Sequence, residues 1–222
     1  MSVKLLVYYD NPNPASDMYL KYIKKDADKL GVEVKVFSDR ESFCHHYLLK
    51  HHDGALVLLP TLDSLDQIKT ILDCYPQYDL DGIGRYPKYV SATATGISRY
   101  IKSNFPDRNT TIMVIGRGTV GSPLLQMLID YGYTVVSTNS KTKESFTLSM
   151  FDNALPNVVV GLSNQDNIIP ETFVNRSSDT VFIDASHNFD FRNIPVIRCG
   201  KFTRQVLFDR LFENAREKTC AK

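Results

Sequence analysis

The chain has 222 residues, a formal net charge of +1 and a hydrophobic fraction of 43%. This length lies between one large and two small domains, and the apolar fraction is sufficient for a buried core. The low net charge, without a basic stripe interleaved with aromatic residues, gives no electrostatic basis for binding nucleic acid or an acidic membrane surface. The short apolar run near the start predicts a first strand and not a signal peptide, and no stretch has the length of a membrane span.

Apolar strand patterns alternate with helical patterns in the first part of the chain. Strands are predicted at residues 3–9, 32–37 and 55–59, with helices between them at 15–30 and 40–51. This alternation is typical of a small parallel α/β layer. A helix at 93–104 leads to a second layer, with the polar segment 106–109 as the joint.

The glycine-rich segment that follows is the most informative motif in the chain. A predicted strand at 110–115 runs directly into Gly116-x-Gly118-x-x-Gly121 and then into an amphipathic helix at 124–129. In this context the motif is typical of dinucleotide binding, with the pyrophosphate at the amino terminus of the helix. Gly116 would permit the tight turn, Gly118 would let the backbone approach the pyrophosphate, and Gly121 would let the helix pack closely. The alternative is a strand-to-helix turn that binds nothing.

The residues around this unit indicate which dinucleotide binds. NAD-binding proteins usually carry an acidic residue about 20 residues beyond the motif, and none is present here. Instead Arg117 lies inside the turn, and Ser140 and Lys141 follow the next predicted strand. Cations and hydroxyls suit the ribose 2′-phosphate of NADP, so the pattern favours NADP over NAD. Thr119 and Val120 complete the predicted cofactor-binding turn. The alternative for Lys141 is a solvated loop.

The later part of the chain continues the same alternation. Further strands are predicted at 133–137, 157–161 and 180–184, and a closing helix at 203–217. Histidines occur in and beside the second predicted helix, where such residues usually form a solvated face: His45, His46, His51 and His52. No cysteine or carboxylate completes a ligand spacing beside them, so we expect no metal site. The four scattered cysteines favour a reducing cytoplasm over a disulfide framework.

Several short motifs, each occurring once, are spread over nearly the whole chain in a definite order. Beside the glycine-rich turn they are Ala15-Ser-Asp-Met-Tyr19, Leu58-Leu-Pro60, Asp79-Leu-Asp81-Gly82, Ala92-Thr93-Ala-Thr-Gly96, Asn139-Ser-Lys-Thr142 and Phe182-Ile-Asp184. Their order resembles the bifunctional methylenetetrahydrofolate dehydrogenase and methenyltetrahydrofolate cyclohydrolase family. The resemblance implies two α/β domains with a cleft between them, in a cytoplasmic homodimer. The folate domain would be 1–105 with the closing helix 203–222, and the Rossmann-like NADP-binding domain 106–202.

The resemblance also implies roles for individual residues. Tyr19 and Asp81 match family positions that contact folate, and we expect them to orient it for hydride transfer. Leu58, Pro60 and Thr93 match positions of the substrate site. A carboxylate such as Asp81 can accept paired hydrogen bonds from an aminopyrimidine edge. The alternative for Asp81 is a turn-forming residue.

Departures from the family pattern bear on the second activity. The family lysine four residues after Tyr19 is Ile23 here, and Lys24 and Lys25 are offset from that position by about 100° per residue around the helix. The family glutamine that supports the lysine is Leu58. Because this lysine manages protons while water attacks the methenyl carbon, the resemblance implies that cyclohydrolase activity is weak or lost.

Other departures support an alternative function. The family's Pro-Cys-Thr-Pro stretch reads Ser91-Ala-Thr-Ala94, and its glycine-rich loop reads Ile197-Arg-Cys-Gly-Lys201-Phe202. In such a loop, Arg198 and Phe202 would obstruct a close approach of the backbone to folate. Two hypotheses result. One is an NADP-dependent 5,10-methylenetetrahydrofolate dehydrogenase. The other is a non-catalytic relative that binds a dinucleotide or folate and acts through a partner.

Overall fold

The computed structural model describes residues 2–138, 156–163, 169, 179–185, 188–189, 191 and 194–220. The chain divides into two compact units, one of Met1–Ala92 with Arg204–Lys222 and the other of Thr93–Thr203. Each unit contains a parallel sheet with helices, which confirms the predicted α/β class. Across the described residues, no helix is both long enough and apolar enough to cross a membrane.

The first unit is built on a three-stranded sheet in the order β2-β1-β3. Its strands are β1 (Val3–Tyr8), β2 (Val32–Phe37) and β3 (Gly54–Val57). Its helices are α1 (Pro14–Leu30), α2 (Arg40–Leu48), α3 (Leu65–Leu72) and the greater part of the closing helix α6 (Gly200–Cys220).

The central strand β1 is apolar on both faces because both faces are covered. Leu5 and Val7 point into a cluster with residues of α1 and α6, whereas Leu6 and Tyr8 point into a cluster with residues of α2 and α3. Successive side chains of a strand alternate between faces, so a strand covered on both sides has a continuous apolar run. This explains why β1 shows no polar alternation in the sequence.

Helix α1 has strong signals at both ends. The Asn13 side chain accepts a hydrogen bond from the Ser16 amide at 3.0 Å, and Pro14 is the first helical residue. At the other end Gly31 adopts a φ of 67°, the left-handed conformation that ends many helices. The bounds of α1 are therefore set locally, which fixes the residues that face the sheet.

The second unit contains a five-stranded parallel sheet in the order β5-β4-β6-β7-β8. The strands are β4 (Thr111–Ile115), β5 (Thr134–Thr138), β6 (Val158–Gly161), β7 (Val181–Asp184) and β8 (Val196–Arg198). Its helices include α4 (Ala92–Asn104, apart from its first residue) and α5 (Gly121–Tyr131). Because β5 and β6 flank β4 on opposite sides, the chain reverses its winding at the carboxyl end of β4, where ligands bind in folds of this kind.

Three features differ from the sequence predictions. Helix α2 ends at Leu48, because Lys50 adopts a φ of 56° and the Asp53 amide then donates to the Lys4 carbonyl at 2.8 Å. His52 is consequently buried, with 1% of its surface exposed, and does not lie on a solvated helix face. The helix α3 and the strand β8 are the other two features, since neither was predicted.

Candidate functional site

Two glycines of the turn between β4 and α5 are required by the fold itself. Gly116 has a φ of 116°, and its amide donates to the Thr138 carbonyl at 2.8 Å. A Cβ atom at Gly116 would lie 2.9 Å from the Leu162 carbonyl oxygen, and one at Gly121 would lie 1.9 Å from the Gly116 carbonyl oxygen. Gly116 therefore makes the turn and Gly121 lets the start of α5 approach the end of β4.

Gly118 differs, because none of the described residues requires a glycine there. Within the described part of the chain, no atom lies within 4 Å of a Cβ atom placed at this position. The open space lies beside the amino terminus of α5, where Val120 occupies the cap position without a side-chain hydrogen bond to the helix. Thr119 is exposed, and Val120 packs partly against the apolar core. The Ser122 amide in this first turn donates to the Gly118 carbonyl at 3.1 Å, so the helix start lacks a side-chain cap but not every backbone partner. Helix starts beside exposed backbone are common sites for phosphate groups.

Arg117 extends from this turn to the neighbouring strand. Its Nε donates to the Ser137 hydroxyl at 2.9 Å, and its Nη2 donates to the Ser137 carbonyl at 3.2 Å. The Ser122 hydroxyl donates to the Arg117 carbonyl at 2.8 Å. An exposed guanidinium is thus held at the carboxyl end of β5, and two other predicted cofactor residues, Ser140 and Lys141, lie outside the described residues.

A buried polar cluster occupies the carboxyl ends of β6 and β7. The Asp184 carboxylate accepts hydrogen bonds from the Asn188 amide at 3.0 Å and the Phe189 amide at 3.3 Å, and pairs with the Arg198 guanidinium. The Asn188 side-chain oxygen accepts from the Ser163 amide at 3.2 Å. These contacts fix the backbone after each strand. Sequence reasoning missed Asn188, because only the folded chain brings it to β6.

The segment 197–202 is not a loop, which corrects the sequence interpretation. Ile197 belongs to β8 and pairs with Ile183, and Phe202 belongs to the first turn of α6. The Phe202 ring stacks on Tyr100 with centroids 4.5 Å apart, and a Cβ atom at Gly96 would lie 2.8 Å from the Phe202 backbone. Arg198 pairs with Asp184 within the same unit, and whether this segment obstructs folate stays a prediction.

Helix α1 carries two residues singled out in the sequence. Tyr19 is half-buried against an apolar cluster that also contains Ile23, which is fully buried one turn later. Lys24 and Lys25 are exposed. Leu58 belongs to the same cluster, with 5% of its surface exposed. The position of the family lysine is therefore apolar core in this chain, and the following lysines do not replace it.

Pro60 and Thr93 lie at the ends of other segments. Pro60 is exposed and follows a cis peptide bond. The carbonyl of the preceding Leu59 accepts a hydrogen bond from the Ser16 hydroxyl at 3.2 Å, which ties the start of α1 to the segment after β3. Thr93 is the first residue of the second unit, and its hydroxyl accepts from the Thr203 hydroxyl at 3.3 Å.

Asp81 holds the start of α4. One of its carboxyl oxygens accepts a hydrogen bond from the amide of Ala92, the first residue of that helix, at 3.0 Å. Burial raises the pKa of Asp81 to about 6; the Ala92 hydrogen bond opposes this rise, the negative charge of Asp79 adds to it, and the Arg210 guanidinium opposes it. Asp81 is therefore more than a turn former, and its carboxylate has capacity for further hydrogen bonds.

Asp79 organises the turn that presents Asp81. Its carboxylate, 2% exposed, accepts hydrogen bonds from the Gly82 amide at 3.0 Å and the Gly84 amide at 2.7 Å. Burial raises the pKa of Asp79, and these amides oppose that rise. The signal for this role was present in the sequence, because an Asp shortly before glycine is typical of a turn.

The described part of the chain contains no group of three or more His, Cys, Asp or Glu side chains that could hold a metal ion. All four cysteines are free thiols. Cys199 is buried, which raises the pKa of its thiol to about 11 and keeps it protonated at neutral pH.

No family model matches the chain. Among curated proteins, a bifunctional protein FolD from Streptococcus thermophilus is 28% identical over 230 residues, which cover 94% of this chain and 76% of that protein.

Solved structures of similar fold include a bifunctional FolD methylenetetrahydrofolate dehydrogenase/cyclohydrolase from Campylobacter jejuni, with a TM-score of 0.75, 18% identity, and coverage of 98% of this chain and 88% of that one. The FolD of Trypanosoma brucei, in complex with NADP and an inhibitor, has a TM-score of 0.73 at 15% identity over 98% of this chain and 87% of its own. An NAD-dependent 5,10-methylenetetrahydrofolate dehydrogenase from Saccharomyces cerevisiae has a TM-score of 0.71 at 16% identity over 97% and 87% of the two chains.

Proposed function

We propose that this chain, a divergent relative of the bifunctional FolD proteins, is an NADP-dependent 5,10-methylenetetrahydrofolate dehydrogenase of one-carbon folate metabolism with weak or no cyclohydrolase activity. The observation that carries the proposal is the turn between β4 and α5. Gly116 and Gly121 serve the fold, whereas Gly118 leaves exposed backbone beside a helix start that has no side-chain cap. A glycine that the fold does not need is explained by a ligand that approaches its backbone.

The residues present fit a nicotinamide dinucleotide. The backbone at Gly118, Thr119 and Val120 and the start of α5 would hold the pyrophosphate. Arg117 would bind the 2′-phosphate with a charge-assisted hydrogen bond, and we propose that Ser140 and Lys141 add to this site. When bound, NADP supplies the hydride acceptor. One structural neighbour is complexed with NADP and another is NAD-dependent, so the preference for NADP rests on Arg117.

The folate would bind to polar residues of the first unit, with Tyr19 and Asp81 orienting it. Tyr19 offers a half-buried ring and a hydroxyl, which can stack on or hydrogen-bond to a pterin. An ionised Asp81 can accept hydrogen bonds from the aminopyrimidine edge. Among the described residues, one hydrogen bond reaches its carboxylate, from the Ala92 amide to a single oxygen, so the carboxylate can accept more. We propose that Leu58, Pro60 and Thr93 contribute contacts to the substrate.

The cyclohydrolase step would lack its proton-handling group. Hydrolysis of a methenyl carbon needs a side chain that manages protons as water attacks. The position that would carry an ammonium is Ile23, which is 0% exposed and surrounded by apolar side chains. Lys24 and Lys25 are exposed and turned away from that position around the helix. The dehydrogenase step needs orientation more than proton transfer, so we expect it to survive. The homodimer and the cytoplasmic location stay predictions.

A calorimetric titration separates the two ligands. Wild type, Asp81→Asn and the exposed control Asp66→Asn are each titrated with NADP and with tetrahydrofolate. The Asn side chain keeps one oxygen for the Ala92 amide, so the fold should survive while the carboxylate is lost. We expect Asp81→Asn to weaken tetrahydrofolate binding at least about tenfold and to leave NADP affinity unchanged. If wild type binds NADP but no tetrahydrofolate, the non-catalytic dinucleotide-binding hypothesis replaces the dehydrogenase.

A further inference from the structure

Arg210 of α6 contacts both ends of the segment 80–89, which carries Asp81. The guanidinium is buried, with 7% of the residue exposed, and its Nη1 donates to the carbonyl of Leu80 at 2.5 Å. The same guanidinium lies over the ring of Tyr89, 4.7 Å from the ring centroid. Leu80 immediately precedes Asp81, and Tyr89 lies shortly before the start of α4. A single side chain of the closing helix therefore bridges the two ends of this segment.

The next turn of α6 reinforces this bridge. Asn214, 2% exposed, accepts a hydrogen bond from the Tyr89 hydroxyl at 2.9 Å. Its amide group donates to the carbonyls of Asp53 at 3.0 Å and Gln77 at 2.7 Å. Arg210 and Asn214 are four residues apart and thus lie on one face of the helix. This face holds Tyr89 in place beneath the guanidinium.

The segment itself has little freedom. The Leu80 side chain is fully buried, and a Cβ atom at Gly54 would lie 2.5 Å from it. Gly82 adopts a φ of 68°, and a Cβ atom there would lie 2.2 Å from the Tyr89 carbonyl oxygen. Close packing on both sides of Asp81 means that the backbone has one conformation, which Arg210 stabilises through Leu80 and Tyr89.

The charges around Asp81 oppose each other. Burial has the largest effect and favours the neutral carboxyl, and Asp79 on the same segment acts in the same direction. Two groups favour the ionised form: the Ala92 amide at the start of α4 and the Arg210 guanidinium on α6. Arg210 is therefore the cation that opposes Asp79 across this segment.

We infer that Arg210 is a positioning residue for folate recognition, which fixes the backbone of the Asp81 segment through Leu80 and Tyr89 and places a positive charge that favours the ionised Asp81 carboxylate. The inference rests on the proposed function, in which that carboxylate binds the pterin edge. A protonated carboxyl would present one oxygen as a donor, and could not accept paired hydrogen bonds from an aminopyrimidine. Sequence spacing gives no sign of this role, because Arg210 and Leu80 are 130 residues apart.

Loss of the guanidinium should change the pH dependence of tetrahydrofolate binding, which a general loss of stability would not do. Removing the Arg210 charge should raise the pKa of Asp81 above its value of about 6, because that charge favours the ionised carboxylate. The ionised fraction then falls more at pH 6, close to the pKa, than at pH 8, where the carboxyl is ionised with or without Arg210. Tetrahydrofolate affinity should follow the same pH dependence.

The test compares Arg210→Gln, Arg210→Lys and a control, Arg216→Gln, at an exposed arginine on the same helix. Tetrahydrofolate and NADP affinities are measured between pH 6 and pH 8, and the Asp81 carboxyl is titrated by carbon NMR, with its signal assigned through Asp81→Asn. Arg210→Gln should weaken tetrahydrofolate binding more at pH 6 than at pH 8. NADP affinity should not change. Arg210→Lys keeps the charge and should retain the wild-type pH profile, as should Arg216→Gln.

An equal loss of tetrahydrofolate affinity at every pH, or an Asp81 titration that Arg210→Gln leaves unchanged, overturns the inference. If Arg210→Gln does not fold, Arg210→Lys decides alone: a profile shifted upward by a full pH unit despite the retained charge contradicts the inference, and an unshifted profile supports it. If wild type binds no tetrahydrofolate while the Asp81 titration still responds to Arg210→Gln, the proposed function fails and the electrostatic role of Arg210 stands.

Discussion

The guanidinium of Arg117 donates hydrogen bonds to the hydroxyl and carbonyl oxygens of Ser137, at 2.9 and 3.2 Å. This contact joins the glycine-rich turn to the end of the adjacent strand β5. In NAD-binding proteins of this architecture an acidic side chain near that strand end holds the ribose hydroxyls. A cation in the same region does not repel a phosphate, as an acidic side chain would, and it attracts the 2′-phosphate of NADP.

The first prediction concerns the choice of cofactor. NADP should bind more tightly than NAD, and Arg117→Ala should narrow the difference by about 1–3 kcal/mol, the range for a charge-assisted hydrogen bond at a protein surface. The control is Arg108→Ala, because Arg108 is an exposed arginine of the same unit that rests on the Tyr131 ring. Calorimetry with both dinucleotides provides the measurement. Equal affinity of the wild type for NADP and NAD would remove the basis for the assignment.

The second prediction separates the two kinds of glycine in the turn. Gly118→Ala should leave the melting temperature nearly unchanged, because no described residue lies within 4 Å of the new Cβ atom, yet it should weaken NADP binding about tenfold or more. Gly121→Ala should lower the melting temperature, because its Cβ atom would lie 1.9 Å from the Gly116 carbonyl oxygen. Thermal unfolding and NADP titration on both variants test the contrast. A Gly118→Ala protein with wild-type NADP affinity would show that the cofactor does not approach this backbone.

The third prediction concerns the apolar position on α1. Ile23→Lys should destabilise the first unit by about 4 kcal/mol, because it buries an unpaired ammonium among apolar side chains. The matched control Ile23→Leu should cost less than about 1.5 kcal/mol. Adding Leu58→Gln, in the same apolar cluster, should recover part of the loss by supplying a hydrogen-bond partner.

Urea unfolding and methenyltetrahydrofolate hydrolysis are then measured on the double variant Ile23→Lys, Leu58→Gln. Hydrolysis above the wild-type level is expected if the rest of the folate site is intact. A double variant that folds, binds tetrahydrofolate and hydrolyses nothing would show that the missing lysine is not the cause of the defect.

The fourth prediction concerns acid stability. His52 is buried beside Tyr47 and Tyr78, with ring centroids 5.2 and 4.9 Å away, and burial lowers its pKa to about 4. Between the unperturbed pKa of 6.5 and about 4, the unfolded chain binds a proton that the folded chain does not. Stability due to this residue is therefore lost as the pH falls through that range, by up to about 3 kcal/mol.

His52→Phe should flatten this pH dependence, whereas the exposed neighbour His51→Phe should leave it unchanged. Urea unfolding at several pH values between 4 and 7 gives the comparison. Asp81 changes the free energy of unfolding with the opposite sign, since its raised pKa favours the folded state as the pH falls. The effect of His52 is therefore measured as the difference in the free energy of unfolding between wild type and His52→Phe at each pH. Parallel stability curves for wild type and His52→Phe would contradict the assignment.

The sequence predicts most elements because their signals are local. The strand β2 has the predicted bounds, since Gly31 ends the preceding helix and the apolar run is short. The sequence also contains a signal for α3, because Leu65, Ile68 and Leu72 occur at helical spacing, although the predicted elements do not include this helix. The strand β8 could not be found in this way, because three residues gain their structure from pairing with β7.

The candidate site is less predictable, because its decisive contacts join residues far apart in the chain. The sequence indicates the glycine-rich turn and the importance of Asp81. It does not indicate that Asp81 binds the Ala92 amide 11 residues later, or that Arg210 binds the Leu80 carbonyl. The same limit applies to His52, which lies near other histidines in the sequence and becomes buried only through the folding of α2 and β3.

We propose that this chain oxidises methylenetetrahydrofolate and hydrolyses the methenyl product weakly or not at all. The most direct test mixes purified wild-type protein with NADP and 5,10-methylenetetrahydrofolate and follows NADPH formation together with the methenyl product. We expect that NADPH forms, that NAD supports a slower reaction, and that the methenyl product accumulates because its hydrolysis is slow or only uncatalysed. No NADPH although both ligands bind, or hydrolysis of the methenyl product as fast as it is made, would contradict this expectation.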